Sequence, residues 1–186
     1  MKLDSNLNWK ALEARAGVET DPKLRANLEI VIEHIKAEAL GDFPRVLKTL
    51  SEKPKYIWRA NPDDPEWNPE GSRQAVMDFY DRFLVQSGAY RAEYDVERVM
   101  VDESAVLTEG LERLAYPGRT LLEMGIEIDD PDAFYLAEGH ATVVWPIEPD
   151  TGLIVGEEIS FCTDMLAGIA DRKITFDDII PLEISG

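Results

Sequence analysis

Residues 137–163 read AEGHATVVWPIEPDTGLIVGEEISFCT, and this stretch decides the fold class. Two runs rich in β-branched and aromatic residues, 137–147 and 153–163, flank Glu148-Pro149-Asp150-Thr151-Gly152, a cluster of turn formers. That pattern predicts two antiparallel strands. Upstream, 94–101 and 105–115 alternate in the same way on either side of Asp102-Glu103-Ser104, which reads as a hairpin turn. The second half of the chain is therefore expected to be an antiparallel meander.

Toward the N-terminus the hydrophobic period changes from two to roughly 3.6 residues. Asp21-Pro22 supplies an N-cap and a first-turn proline. Leu24, Leu28, Val31, Ile32 and Ile35 then form one stripe of a helix that runs to Leu40 and stops at Gly41. Asp42 caps a short helix, Phe43 to Leu50. Residues 1–20 read as an amphipathic helical segment. Pro54 to Ala60 reads as a strand with Tyr56 and Trp58 on one side. Asn61 to Gly71 is turn chemistry, and Ser72 caps a helix carrying Val76, Phe79, Tyr80, Phe83 and Leu84. Residues 116–136 form a long irregular insertion, of the kind that serves as a lid or an interface. Within it, Met124, Phe134 and Tyr135 are expected at the pocket mouth or at a dimer contact. A last helix is expected over 165–170.

Helices followed by a meander define an α+β domain in which helices cover one face of a sheet. The 186 residues suffice for one sizeable core, so 1–186 is read as a single domain. Within it, 1–21 is a helical extension, 22–170 the core and 171–186 a tail.

The order of these segments resembles the nuclear transport factor 2-like superfamily, and more closely its SnoaL-like, polyketide cyclase-like branch. The matching words are His34-Ile35-Lys36-Ala37-Glu38-Ala39-Leu40-Gly41-Asp42, Tyr56-Ile57-Trp58, and Gly71 with Ala75-Val76-Met77-Asp78-Phe79-Tyr80. Val99-Met100-Val101-Asp102, Thr108-Glu109-Gly110, Thr142-Val143-Val144-Trp145 and Ile154-Val155-Gly156-Glu157 complete the series. The resemblance implies a cone-shaped fold: helices closing a curved antiparallel sheet around a mostly apolar cavity, often in a homodimer. Its members include isomerases, dehydratases, epoxide hydrolases, cyclases and binding modules, so fold does not select function. In the cyclases an aspartate commonly ends the last strand and pairs with a histidine. Cys162 stands at that place here, with Asp164 two residues on.

Alternation proposes which carboxylates face inward. Glu157 shares a face with Val155, Ile159 and Phe161, and Glu109 shares one with Ala105, Leu107 and Leu111. A carboxyl group in an apolar cavity resists ionisation, which suits a general acid or base near neutrality. The plainer reading makes each a solvated strand residue or a partner of Arg98 or Arg113. His140 alternates with Thr142 and Val144, and parity leaves its side undecided. His34 borders the apolar stripe of its helix; it is either a proton-transfer partner for Glu157 or a buried structural histidine. Trp58, Tyr56, Tyr80, Phe83 and Phe161 are candidate walls of a ligand pocket, or plain core.

Composition excludes several classes. The net charge of -18 repels phosphate backbones and anionic lipids, so neither nucleic acid nor a membrane is an expected partner. The single cysteine, Cys162, permits no internal disulfide, and Met1 to Trp9 shows no secretory signal, so a cytoplasmic setting is expected. Two distant histidines without a cysteine cluster argue against zinc, and Asp129-Asp130-Pro131-Asp132 lacks EF-hand spacing. No phosphate-binding glycine loop or nucleophile elbow is present. The expectation is a SnoaL-like protein that acts without cofactor or metal, by acid/base chemistry, on a small hydrophobic organic substrate. The alternative is a non-catalytic binding or dimeric interaction module of the same fold.

Overall fold

The computed structural model describes residues 2–89 and 91–183. Helix α1 (Leu7–Val18) buries Trp9, Leu12 and Ala16. Helix α2 (Pro22–Ala39) starts as its sequence predicts, with the Asp21 carboxylate accepting from the backbone N–H groups of Lys23 and Leu24. Its stripe of Leu28, Val31, Ile32 and Ile35 is buried, each such side chain contributing about 1.5–3 kcal/mol. Helix α3 (Phe43–Thr49) is capped by Asp42, which accepts from the Arg45 N–H. Helix α4 (Arg73–Tyr80), capped by Ser72, runs on as a π-helical turn over Asp81–Gln86. A fifth helix, α5 (Gly118–Glu123), lies between the two longest strands.

Six strands form one curved sheet: β1 (Ile57–Trp58), β2 (Ala92–Val101), β3 (Ala105–Pro117), β4 (Phe134–Pro146), β5 (Glu158–Phe161) and β6 (Lys173–Ile174). Their order is β1-β5-β4-β3-β2, with β6 added to β4. Every pair is antiparallel except β1 and β5, so the sheet is mixed where a purely antiparallel one was expected. A bulge between Val96 and Arg98 bends β2. Opposite it, a Cβ on Gly110 would lie 2.1 Å from the Asp95 carbonyl oxygen, so glycine alone lets the two strands meet there.

The strand expected over 153–163 is shorter. Residues 153–157 turn away and pair with the chain after α3: the Ile154 N–H donates to Thr49 O at 2.9 Å and the Lys55 N–H to Val155 O at 2.8 Å. The approach is close enough that a Cβ on Gly156 would sit 1.8 Å from Lys55 O. This local pairing sets Glu157 immediately before β5 and aims it at α2.

The main core lies between the helices and the inner face of the sheet. A second cluster, Leu3, Ala115, Leu136 and Ile174, joins the two ends of the chain. There Leu3 N–H donates to Asp178 O at 3.0 Å, and the Asn6 side chain bridges Pro181 O and the Glu183 N–H. Positions 184–186 of the expected tail, and Met1 of the first segment, lie outside the described residues. The 116–136 segment is better ordered than its sequence suggests. It holds α5 and the start of β4 over a third cluster, Leu121, Tyr135, Ala137 and Ile169. Tyr135 is fully buried there and its hydroxyl donates to Asp129 Oδ1 at 2.5 Å, so it does not cap a pocket. The helix expected over 165–170 is replaced by turns ending in a single 3-10 turn, Ile169–Asp171. Among the described residues no helix is long and apolar enough to cross a membrane.

Candidate functional site

A cavity of about 390 Å³ opens between the helices and the inner face of the sheet. Its walls include Tyr56, Trp58, Tyr80, Phe83 and Phe161, all five of the aromatics singled out in the sequence. The turn-rich segment after β1 adds Trp67. The Asn68 amide donates to Asn61 O at 2.6 Å and its oxygen accepts from the Trp58 N–H at 2.7 Å, folding the loop back. The Trp67 ring thereby lies 5.1 Å from Trp58 and 4.2 Å from Phe83.

At one wall of the cavity stands a chain of polar groups whose donors can be assigned in sequence. The Thr49 hydroxyl donates to Val46 O at 2.6 Å, so its oxygen must accept from His34 Nδ1, also at 2.6 Å. Nδ1 therefore carries a proton. The other nitrogen, Nε2, faces Glu157 Oε1 at 3.0 Å and the Tyr80 hydroxyl at 3.3 Å. Tyr80 donates to the same Oε1 at 3.3 Å, and Tyr56 donates in turn to Tyr80 at 3.0 Å. One proton is left for the line between Nε2 and Oε1: a neutral imidazole with a carboxylic acid, or an imidazolium with a carboxylate. The hydrogen bonds to the Glu157 side chain end on Oε1, which leaves Oε2 toward the cavity that Glu157 lines.

The surroundings hold this group in place. His34 is fully buried and meets the Trp145 ring edge-on at 5.6 Å. The Trp145 indole donates to Thr108 Oγ1 at 3.2 Å. Phe43 stacks on Tyr80 with ring centroids 5.3 Å apart. Burial first, and the Glu157 charge second, push the hydroxyls of Tyr56 and Tyr80 well above the usual phenol range, so both remain donors.

Two further carboxyl groups face the cavity, and sequence reasoning passed over both. Glu38 lies one helical turn beyond His34 on α2, and Glu112 lies on β3. Burial, then the charges of Glu157 and Glu112, hold Glu38 well above the carboxylate range. Burial, with Glu157 as the second cause, pushes Glu112 up to about 7. Spacing of four residues from His34 was the available signal for Glu38. The signal for Glu112 was its parity with Val106 and Thr108, which are fully buried.

The same parity corrects Glu109. The inner face of β3 carries Val106, Thr108, Gly110 and Glu112, so Glu109 points outward and pairs with Arg98 at 2.5 Å. Leu107 and Leu111, which suggested an inward Glu109, cover the outer face instead. His140 is opposite Leu111 in the register and shares that outer face, 3.5 Å from Glu97. The sheet therefore separates both residues from the cavity. Cys162 is exposed. His34, Glu38 and Glu157 offer ligand atoms within 4.8 Å of one another, a grouping that the distant histidines of the sequence did not suggest.

Sequence comparison finds no matching family model and no matching curated protein. Structural comparison does find proteins of the same fold. A protein described as a SnoaL-like polyketide cyclase, from Shewanella putrefaciens CN-32, superposes with a TM-score of 0.63 at 12% identity, covering 86% of this chain and 91% of that one. An epoxide hydrolase of the LEH-like kind from M. tuberculosis gives a TM-score of 0.55 at 18% identity, covering 81% and 94%. TerC, crystallised with polyporic acid, gives 0.57 at 11% identity, covering 78% and 98%. The fold implied by the sequence resemblance thus holds, at identities that carry no activity across.

Proposed function

On the nuclear transport factor 2-like fold that this chain has, we propose that the cavity performs cofactor-independent acid/base chemistry on a small hydrophobic organic substrate. The observation that carries the reading is the 3.0 Å contact between His34 Nε2 and Glu157 Oε1, with Oε2 left toward the cavity. In this reading Oε2 takes a proton from a substrate carbon or from water, or returns one. His34, anchored through Thr49, balances the resulting change of charge. Tyr80 and Tyr56 feed hydrogen bonds to the carboxyl group, and the aromatic walls orient the substrate. Isomerisation, dehydration, cyclisation and hydrolysis all need this step. Neighbours described as SnoaL-like cyclases and as an epoxide hydrolase support that range.

A second reading, a binding module without turnover, draws on one observation. The network around His34 is complete within the protein, as a purely structural one would be. The proposal also takes the chain as one cytoplasmic domain that forms a homodimer through the outer sheet face, where Met100, Leu107, Leu111 and Val144 lie.

The test is turnover of a panel of small epoxides, β-hydroxy ketones and unsaturated ketones by the wild type and by Glu157→Gln. The variant is expected to keep its near-ultraviolet circular dichroism and to lose at least about 100-fold in rate. Undiminished turnover in Glu157→Gln would sink the assignment. Binding of panel members without any turnover would favour the binding module.

A further inference from the structure

We propose that the ligand of this cavity is an organic cation, a hydrophobic body bearing an ammonium or similar group that lies among Glu38, Glu112 and Glu157. The inference rests on the reading that the cavity takes a small organic molecule, and adds the sign of its charge.

The first observation is a comparison within the protein. Every other carboxyl group among the described residues that is buried or half-buried has a partner. Glu93 and Glu138 share Arg113, Glu33 has Arg45, Glu109 has Arg98, Glu158 has Arg59 and Glu19 has Arg15. The half-buried aspartates and Glu148 are held by hydrogen bonds or Lys173. Glu38 and Glu112 alone have neither a hydrogen bond nor an ion pair, although both are half-buried. Among the described residues no buried side-chain oxygen lacks a partner, so the unpartnered oxygens of these two are exposed where both residues face, in the cavity.

The second observation is the composition of the wall. Among the described residues it holds four acidic ones, Glu38, Glu112, Glu157 and Asp164, and no lysine or arginine. Aromatic rings make up much of the remainder, with Trp58, Trp67, Phe83 and Phe161 packed against one another on one side and Tyr94 and Tyr116 near Glu112. Ring faces attract a desolvated cation, and a cation beside Glu38 and Glu112 offsets the burial that favours their protonated forms, so that both ionise against it; an anion meets neither attraction. The net charge of -18 draws cations to the same opening. An inorganic cation would share part of this chemistry, since His34, Glu38 and Glu157 lie close together. It would leave Glu112 and the aromatic walls without a role, so the organic cation is the better fit.

Three ligands of one scaffold separate these cases: tryptamine (cationic at neutral pH), tryptophol (neutral) and indole-3-acetate (anionic). Affinities are measured by calorimetry at pH 7.5 in low salt, with EDTA present, and repeated with Zn²⁺ in its place. Tryptamine is expected to bind about tenfold or more tighter than tryptophol, with indole-3-acetate weakest and the preference shrinking in high salt. Glu38→Gln and Glu112→Gln, each checked for retained fold by circular dichroism, are expected to reduce that preference while tryptophol affinity holds. Equal or tighter binding of tryptophol overturns the charge assignment and leaves the small-ligand reading intact. A preference that appears only with Zn²⁺ overturns the organic cation in favour of a metal. Failure of all three ligands to bind at millimolar concentration overturns both the charge assignment and the small-ligand reading.

Discussion

Glu112→Gln should stabilise the protein, and only above a predictable pH. In the folded chain burial and the nearby Glu157 charge push the Glu112 carboxyl up to about 7, against 4.5 for an unperturbed glutamate. Between those values the unfolded chain has released a proton that the folded chain retains. The unfolded state then binds fewer protons, so stability falls as pH rises through this window. At roughly 1.4 kcal/mol for each pH unit of difference, the full penalty above pH 7 is about 3 kcal/mol. The cavity admits water, which makes that figure a ceiling. Glutamine keeps the shape and does not titrate. Urea unfolding at pH 4, 5, 6, 7 and 8.5 should give nearly equal stabilities for variant and wild type at pH 4, a gap of about 1 kcal/mol at pH 5, and one of up to about 3 kcal/mol by pH 8.5. Glu38, shifted in the same direction, steepens the wild-type curve without closing that gap. A gap that stays constant with pH would refute the assignment of Glu112 to a buried, negatively charged wall.

Other predictions follow from the same geometry. Thr49→Val removes the acceptor of His34 Nδ1–H inside the core, which should cost about 1–3 kcal/mol in urea unfolding and move the Nδ1 resonance in nitrogen-15 spectra. A variant with unchanged stability and unchanged imidazole shifts would show that the tautomer is set elsewhere. Glu109→Gln and His140→Ala lie on the outer face and should leave ligand affinity within about twofold and stability within about 0.5–1 kcal/mol. Loss of binding in either would place the cavity on the wrong side of the sheet.

Much of this arrangement was legible in the sequence, for reasons that also explain the failures. The α2 stripe placed His34 beside the core because an amphipathic helix has one apolar face, and Glu157 fell on the inner side because its neighbours Ile159 and Phe161 are apolar while Ser160 and Cys162 are not. Strand β3 misled because it is apolar on both faces. Leu107 and Leu111 cover the outside, while Val106, Thr108 and Gly110 line the inside, so residue type alone selected Glu109 over Glu112. Glu38 reads as an ordinary solvated helix position until the sheet is known to curve over it. Thr49 joins the site only through the turn after α3, where Ile154 pairs with its carbonyl, a long-range contact that no spacing announces.

Glu157 is proposed to move a proton inside the cavity, and deuterium uptake tests this most directly. Small hydrophobic ketones are incubated with the protein in D₂O, and exchange at the carbon next to the carbonyl is followed by NMR. The wild type should accelerate exchange of a bound ketone, and Glu157→Gln, still folded and still binding, should return it to the background rate. Equal exchange by the two proteins would contradict the central claim.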